Sequence, residues 1–119
     1  MEIGETGAVS IPFEITPREV KARLDSGEVT HLIDVREVQE HQITRIAGAE
    51  LIPMRTVPAA LGAIEEKADS GLVVIFCHHG MRSLQVVNWL RQNGVEACQS
   101  MSGGIEQWST EIDPSVPRY

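Results

Sequence analysis

The chain has 119 residues, 42% of them hydrophobic and only 4% aromatic, with a formal charge of −7. This length suits one domain with a core of Val, Ile, Leu and Ala. The acidity argues against nucleic acid and against an anionic membrane surface as partners. Met1 to Gly7 is acidic and lacks the apolar stretch of a secretory signal. No apolar run approaches the roughly 20 residues that span a bilayer. The expected location is the cytoplasm, and the expected state of one small domain is a monomer. Two cysteines do not make a disulfide scaffold, so both are expected to be reduced.

Residues 1–10 read as a loose leader, residues 11–110 as the single domain and residues 111–119 as an irregular tail with Pro114 and Pro117. Ile11 to Ile15 is expected to form an edge strand. Thr16-Pro17-Arg18-Glu19 is a capping box with proline at the first helical position. Ile15 and Val20 are spaced as a hydrophobic staple. This helix should run to about Asp25 and stop at Gly27. His31 to Val35 reads as a buried strand, and Arg36 to Gln42 as a short helix with a partly solvated charged face. Glu50 to Ile52 is a brief strand ended by Pro53. Pro58 to Ala68 is an alanine-rich helix carrying Gly62.

Leu72 to Phe76 has the continuous apolar character of a strand buried on both faces. It runs into Cys77, a loop containing Gly80, and a helix expected from Ser83 to Asn93 with Gly94 as its cap. Val95 to Cys98 reads as the last strand, with Cys98 in a packing role. Gly104 to Thr110 reads as the last helix, anchored by Trp108, with Gly103 and Gly104 forming the turn before it. Alternating strands and helices imply parallel crossovers and a sheet covered on both faces.

The segment around Cys77 carries the chemistry. Ligands of open α/β sheets bind at the carboxyl ends of strands. A cysteine there, facing a helix N-terminus, is placed as a thiolate nucleophile, because amide N–H groups, the helix dipole and nearby cations all favour the anion. Gly80 can take a positive φ, which lets successive amides curl into an anion nest. His78, His79, Gly80, Met81, Arg82 and Ser83 are therefore candidate substrate-binding residues, through backbone amides or side chains. Arg82 has two readings, a catalytic cation or a structural ion pair with Asp34 or Glu40. Asp34 and Arg36 follow a strand end on the same edge and are candidate supports of the loop. The net negative charge means that an anionic substrate must be drawn by a local positive pocket.

Cys77-His78-His79-Gly80-Met81-Arg82-Ser83 resembles the active-site loop of the rhodanese family. Leu32-Ile33-Asp34-Val35-Arg36-Glu37, with Glu40, Ile46-Ala47-Gly48-Ala49 and Ile52-Pro53, is similar to the family's amino-terminal signature. Gly103-Gly104-Ile105-Glu106-Gln107-Trp108 resembles its carboxy-terminal one. His41 and Ala47 depart from the residues common at those places. The resemblance implies an α/β fold with a five-stranded, mainly parallel sheet and helices on both faces. It implies a sulfurtransferase that moves sulfur from thiosulfate or a persulfide donor to a thiophilic acceptor such as cyanide or a thiol, through a Cys77 persulfide. No metal and no organic cofactor is expected. An alternative is a protein-bound sulfur carrier with a protein donor or acceptor, its docking rim built from His78, His79 and Met81. A cysteine phosphatase or arsenate reductase fits less well, since four residues separate Cys77 from Arg82 where those enzymes use five. A non-catalytic interaction module is disfavoured by the intact cysteine loop.

Overall fold

A computed structural model describes residues 11–119, so the expected leader at 1–10 lies outside the described residues. The elements in chain order are β1 (Glu14–Ile15), α1 (Pro17–Ser26), β2 (Thr30–Asp34), α2 (Val38–Ile43), β3 (Glu50–Leu51), α3 (Leu61–Ser70), β4 (Leu72–Phe76), α4 (Met81–Gln92), β5 (Cys98–Met101) and α5 (Gly104–Glu111). Two 3₁₀ turns, Met54–Thr56 and Pro58–Ala60, lead into α3. Every strand pair is parallel, in the order β1-β5-β4-β2-β3. The sheet is thus all-parallel, where a mainly parallel one was expected.

The local signals account for these elements. Thr16 caps α1 through its side chain, the reciprocal contact from Glu19 completes the capping box, and Gly27 closes the helix in the left-handed region. Ile15 and Val20, the two ends of the staple, are both buried. The period-two alternation of β4 divides its side chains between two cores. Val73, Ile75 and Cys77 join Ile33, Val35, Ile64, Val87 and Leu90 on one face. Val74 and Phe76 join Ile15, Val20, Met101, Ile105 and Trp108 on the other. A fully buried aliphatic side chain contributes about 1.5–3 kcal/mol, so two such cores hold β4 firmly at the centre. Its carboxyl end is a rigid mount for Cys77.

Besides one-residue shifts, several boundaries differ from the sequence expectation, and the edge strand expected over Ile11 to Ile15 pairs only over Glu14–Ile15. The α4 helix begins at Met81, two residues earlier than expected, because Gly80 takes φ 104° and turns the chain directly into it. The last strand is Cys98–Met101, shifted from Val95 to Cys98, because the polar Gln99 pairs with β4 and Ser100 with both β4 and β1 in the sheet interior. The helix expected over Pro58 to Ala68 opens as a 3₁₀ turn and becomes α-helical only at Leu61. Arg36 lies before α2 and is completely buried, so the expected solvated face begins beyond it. Residues 112–119 hold no helix or strand, but Tyr119 folds back beside the Cys77 loop.

Candidate active site

The site forms at the carboxyl ends of β2, β4 and β5. Cys77 leaves β4 with only 1% of its surface exposed. Its sulfur is nonetheless ringed by polar groups. The Gly80 amide donates to Cys77 Sγ at 3.1 Å and the Ser83 amide at 3.4 Å. Ser83 Oγ lies 3.4 Å from the sulfur and shares a 2.7 Å hydrogen bond with Ser100 Oγ. In the thiol state the S–H donates to Ser83 Oγ. In an anionic state the hydroxyl can turn and donate in return, since its hydrogen rotates freely. The structure therefore brings Gly80, Ser83 and the first turn of α4 onto Cys77, as a concave nest of N–H donors.

The orientation of this nest depends on α5. The Ile105 amide donates to Cys77 O at 2.9 Å and the Glu106 amide to His78 O at 3.1 Å. These bonds hold the Cys77 and His78 carbonyls on the α5 N-terminus, at the start of the loop that brings the Gly80 and Ser83 amides to the sulfur. The approach requires glycine at 104. Its φ is +61°, and a Cβ there would fall 2.4 Å from His78 O and 2.5 Å from Cys77 O. The sequence by itself gives Gly104 only the role of a tight turn. The Gly-Gly pair at a helix start was the available signal.

Arg82 makes the ion pair expected in one of its two readings, with Glu40 as the partner. Its guanidinium makes a bidentate pair with Glu40, at 2.8 and 3.0 Å. The Arg82 hydrogen bonds hold the Glu40 carboxyl down to about 2, against the opposing effect of burial. The same bonds raise the Arg82 guanidinium further above its ordinary value. Asp34 has a different partner. It takes Arg36 Nε at 2.9 Å and Nη2 at 2.8 Å, with His41 Nδ1 3.0 Å away. Both members of this pair are fully buried. The remaining Arg36 donors reach Thr44 O at 2.6 Å and the Tyr119 hydroxyl at 3.0 Å. The Tyr119 hydroxyl in turn donates to Glu40 Oε2 at 2.6 Å. Arg36 Nη1 also meets Glu40 O at 3.4 Å, so among the described residues the Asp34 and Arg36 side chains reach the loop through Tyr119 and Glu40.

The histidines differ from one another. His78 is sandwiched between the rings of His79 and Tyr119, each 3.9 Å away. Burial, and then His79, push the His78 imidazole below its ordinary value, which favours the neutral ring. Its Nε2 is buried without a hydrogen-bond partner, 4.0 Å from Glu106 Oε1. His79 is exposed, and Met81 is 73% exposed. His78, His79 and Glu106 hold ligand atoms within 4.8 Å of one another. They fit a metal poorly, since an imidazole binds in its ring plane at about 2.0–2.1 Å and two stacked rings do not converge there. Glu106 is also committed to Arg118.

Cys98 is a free thiol in the same core, donating to Val95 O at 3.3 Å. Burial pushes it up, and Arg91 offsets this only in part. A thiolate there is disfavoured. Among the described residues no helix is long and apolar enough to cross a membrane.

These features define a buried cysteine met by two backbone amides at a strand's carboxyl end of a small all-parallel α/β domain. Residues 16–111 match the Rhodanese-like domain, and the chain belongs to that family. It is 32% identical over 109 residues to the maize adenylyltransferase and sulfurtransferase MOCS3-1, covering 88% of this chain and 23% of that protein. The chain thus spans about a quarter of the length of such curated relatives. A rhodanese-like domain protein from Staphylococcus aureus superposes with a TM-score of 0.74 at 30% identity, covering 89% of this chain and 97% of that one. The human single-domain sulfurtransferase TSTD1 gives a TM-score of 0.72 at 25% identity, covering 84% and 97%.

Proposed function

We propose that this protein is a sulfurtransferase that carries sulfane sulfur as a persulfide on Cys77. The observation that carries this reading is the pair of amides, from Gly80 and Ser83, aimed at the sulfur of a cysteine at a strand's carboxyl end. In the loading step Cys77 attacks the outer sulfur of a donor, either thiosulfate or an organic persulfide. The donor's S–S bond breaks as the new one forms, and sulfite or a thiolate leaves with the bonding pair. In the second step a thiophilic acceptor, cyanide or a thiol, takes the outer sulfur and Cys77 is restored. This is covalent catalysis in two halves. The Gly80 and Ser83 amides, the Ser83 hydroxyl and the α4 dipole stabilise charge as it moves onto the terminal sulfur, as donors of an anion hole do. His79 and Met81 flank the mouth, while His78 holds the loop through its stack.

The four-residue spacing between Cys77 and Arg82, and the commitment of Arg82 to Glu40, leave little to bind a tetrahedral phosphate. In the maize relative a similar domain is one part of a longer chain named for adenylyl and sulfur transfer. That arrangement favours a protein-bound acceptor as a second reading of the same persulfide. The free thiols Cys77 and Cys98 suit a reducing compartment such as the cytoplasm. Initial-rate kinetics with varied donor and cyanide test the proposal. Parallel double-reciprocal lines are expected, with product formation abolished in Cys77→Ser. Transfer by that variant at the wild-type rate overturns the assignment.

A further inference from the structure

Sulfur donors differ in charge, and the charges around Cys77 are balanced pair by pair. Three arginines meet the loop and its supports, and each already holds a carboxylate. Arg82 is clamped by Glu40, Arg36 by Asp34 and Arg118 by Glu106. His78 leans toward its neutral form. Among the described residues the loop therefore meets no arginine free of a carboxylate. The chain as a whole carries −7. What remains to receive an anion is the amide nest, and its two observed donors already engage the Cys77 sulfur.

Resting on the sulfurtransferase reading above, we infer that Glu40 acts as a charge filter. By neutralising Arg82 it selects sulfane donors of low charge, namely persulfides of primary thiols, over the thiosulfate dianion. The two loading reactions show why. Cys77 thiolate and thiosulfate give the Cys77 persulfide anion and sulfite, so a dianion must approach and a dianion must leave. Cys77 thiolate and a protonated persulfide RSSH give Cys77–SSH and the thiolate RS⁻. The proton can equally begin on Cys77 with RSS⁻ as the donor, and the pair still carries a single negative charge throughout. The second reaction asks for no cation beyond the nest. The first asks for one, and Glu40 has taken it. The near-complete burial of Cys77 adds a steric preference for a slender primary persulfide.

The test is single-turnover loading of Cys77, followed by intact mass, with thiosulfate and with cysteine persulfide as probes. Each is run at low and high ionic strength, on the wild type and on Glu40→Gln. In the wild type, cysteine persulfide loads faster, and added salt accelerates thiosulfate by screening repulsion over about 10 Å at 0.1 M. In Glu40→Gln, thiosulfate loading rises relative to persulfide loading by roughly tenfold, equivalent to about 1.4 kcal/mol, and its salt acceleration shrinks. The salt slope of the wild type needs no variant, so the inference stays testable if Glu40→Gln folds poorly. A persulfidated serum albumin arm separates a protein-borne donor from a free one, and either outpacing thiosulfate supports the filter. Thiosulfate loading that slows with salt, or a donor ratio unmoved in a folded Glu40→Gln, overturns it. Loading by neither donor overturns the sulfurtransferase reading itself and the filter with it.

Discussion

Gly104→Ala is expected to damage both stability and the site, because three costs fall on one methyl group. Residue 104 sits at φ +61°, where an L side chain costs roughly 1–2 kcal/mol. The new Cβ would also fall 2.4 Å from His78 O and 2.5 Å from Cys77 O, both backbone atoms that cannot swing aside. Relief requires α5 to back away and lose the amide bonds from Ile105 and Glu106, each contributing about 0.5–1.5 kcal/mol. Together these amount to on the order of 3 kcal/mol. In a domain of this size that corresponds to a drop in Tm of roughly 10–20 °C. Differential scanning calorimetry measures the loss, and single-turnover loading of Cys77 at a temperature where the variant is still folded should be slower too. Gly62→Ala is the control. Nothing lies within 4 Å of the added Cβ in α3, so it should raise stability by roughly 0.5–1 kcal/mol. A Gly104→Ala protein that melts within a degree or two of wild type and loads sulfur normally would refute the view that α5 sets the loop carbonyls.

Asp34→Asn leaves Arg36 buried without its counter-charge. Chemical denaturation should show a loss of about 3–5 kcal/mol, the usual cost of breaking one side of a buried pair. Tyr119→Phe keeps the stack on His78 but removes the hydroxyl between Arg36 and Glu40. A loss of about 1 kcal/mol is expected in urea melts, and an unchanged midpoint would remove Tyr119 from the network. The Glu40 carboxyl is lowered from 4.5 to about 2 on folding. Its contribution is therefore complete above pH 4.5 and disappears as pH falls toward 2. Stability measured from pH 6 to pH 3 should consequently fall less steeply in Glu40→Gln than in wild type.

The parts of this structure legible in the sequence were those fixed by local chemistry. Thr16, Pro17 and Glu19 announce α1 by capping, and the apolar run Leu72 to Phe76 announces the central strand. Cys77 followed by Gly80 and an amphipathic helix identifies the nest, since all its groups lie within a few residues. The last strand lies later than its apolar signal, because Val95 and Ala97 precede the paired residues. Gln99 and Ser100 look like surface residues until Ser100 is seen holding Ser83. The partner of Arg82 was open because Asp34 and Glu40 are both carboxylates near one strand end, and only the tertiary path of α2 separates them. Tyr119 was illegible for the same reason, since its contacts to Glu40 and Arg36 bridge most of the chain.

Peptide-level mass spectrometry after donor treatment tests the central claim most directly. The account predicts one added sulfur on the peptide containing Cys77, removed by cyanide, with the Cys98 peptide unchanged. Sulfur found on Cys98 instead, or on neither cysteine of the folded protein, would contradict it.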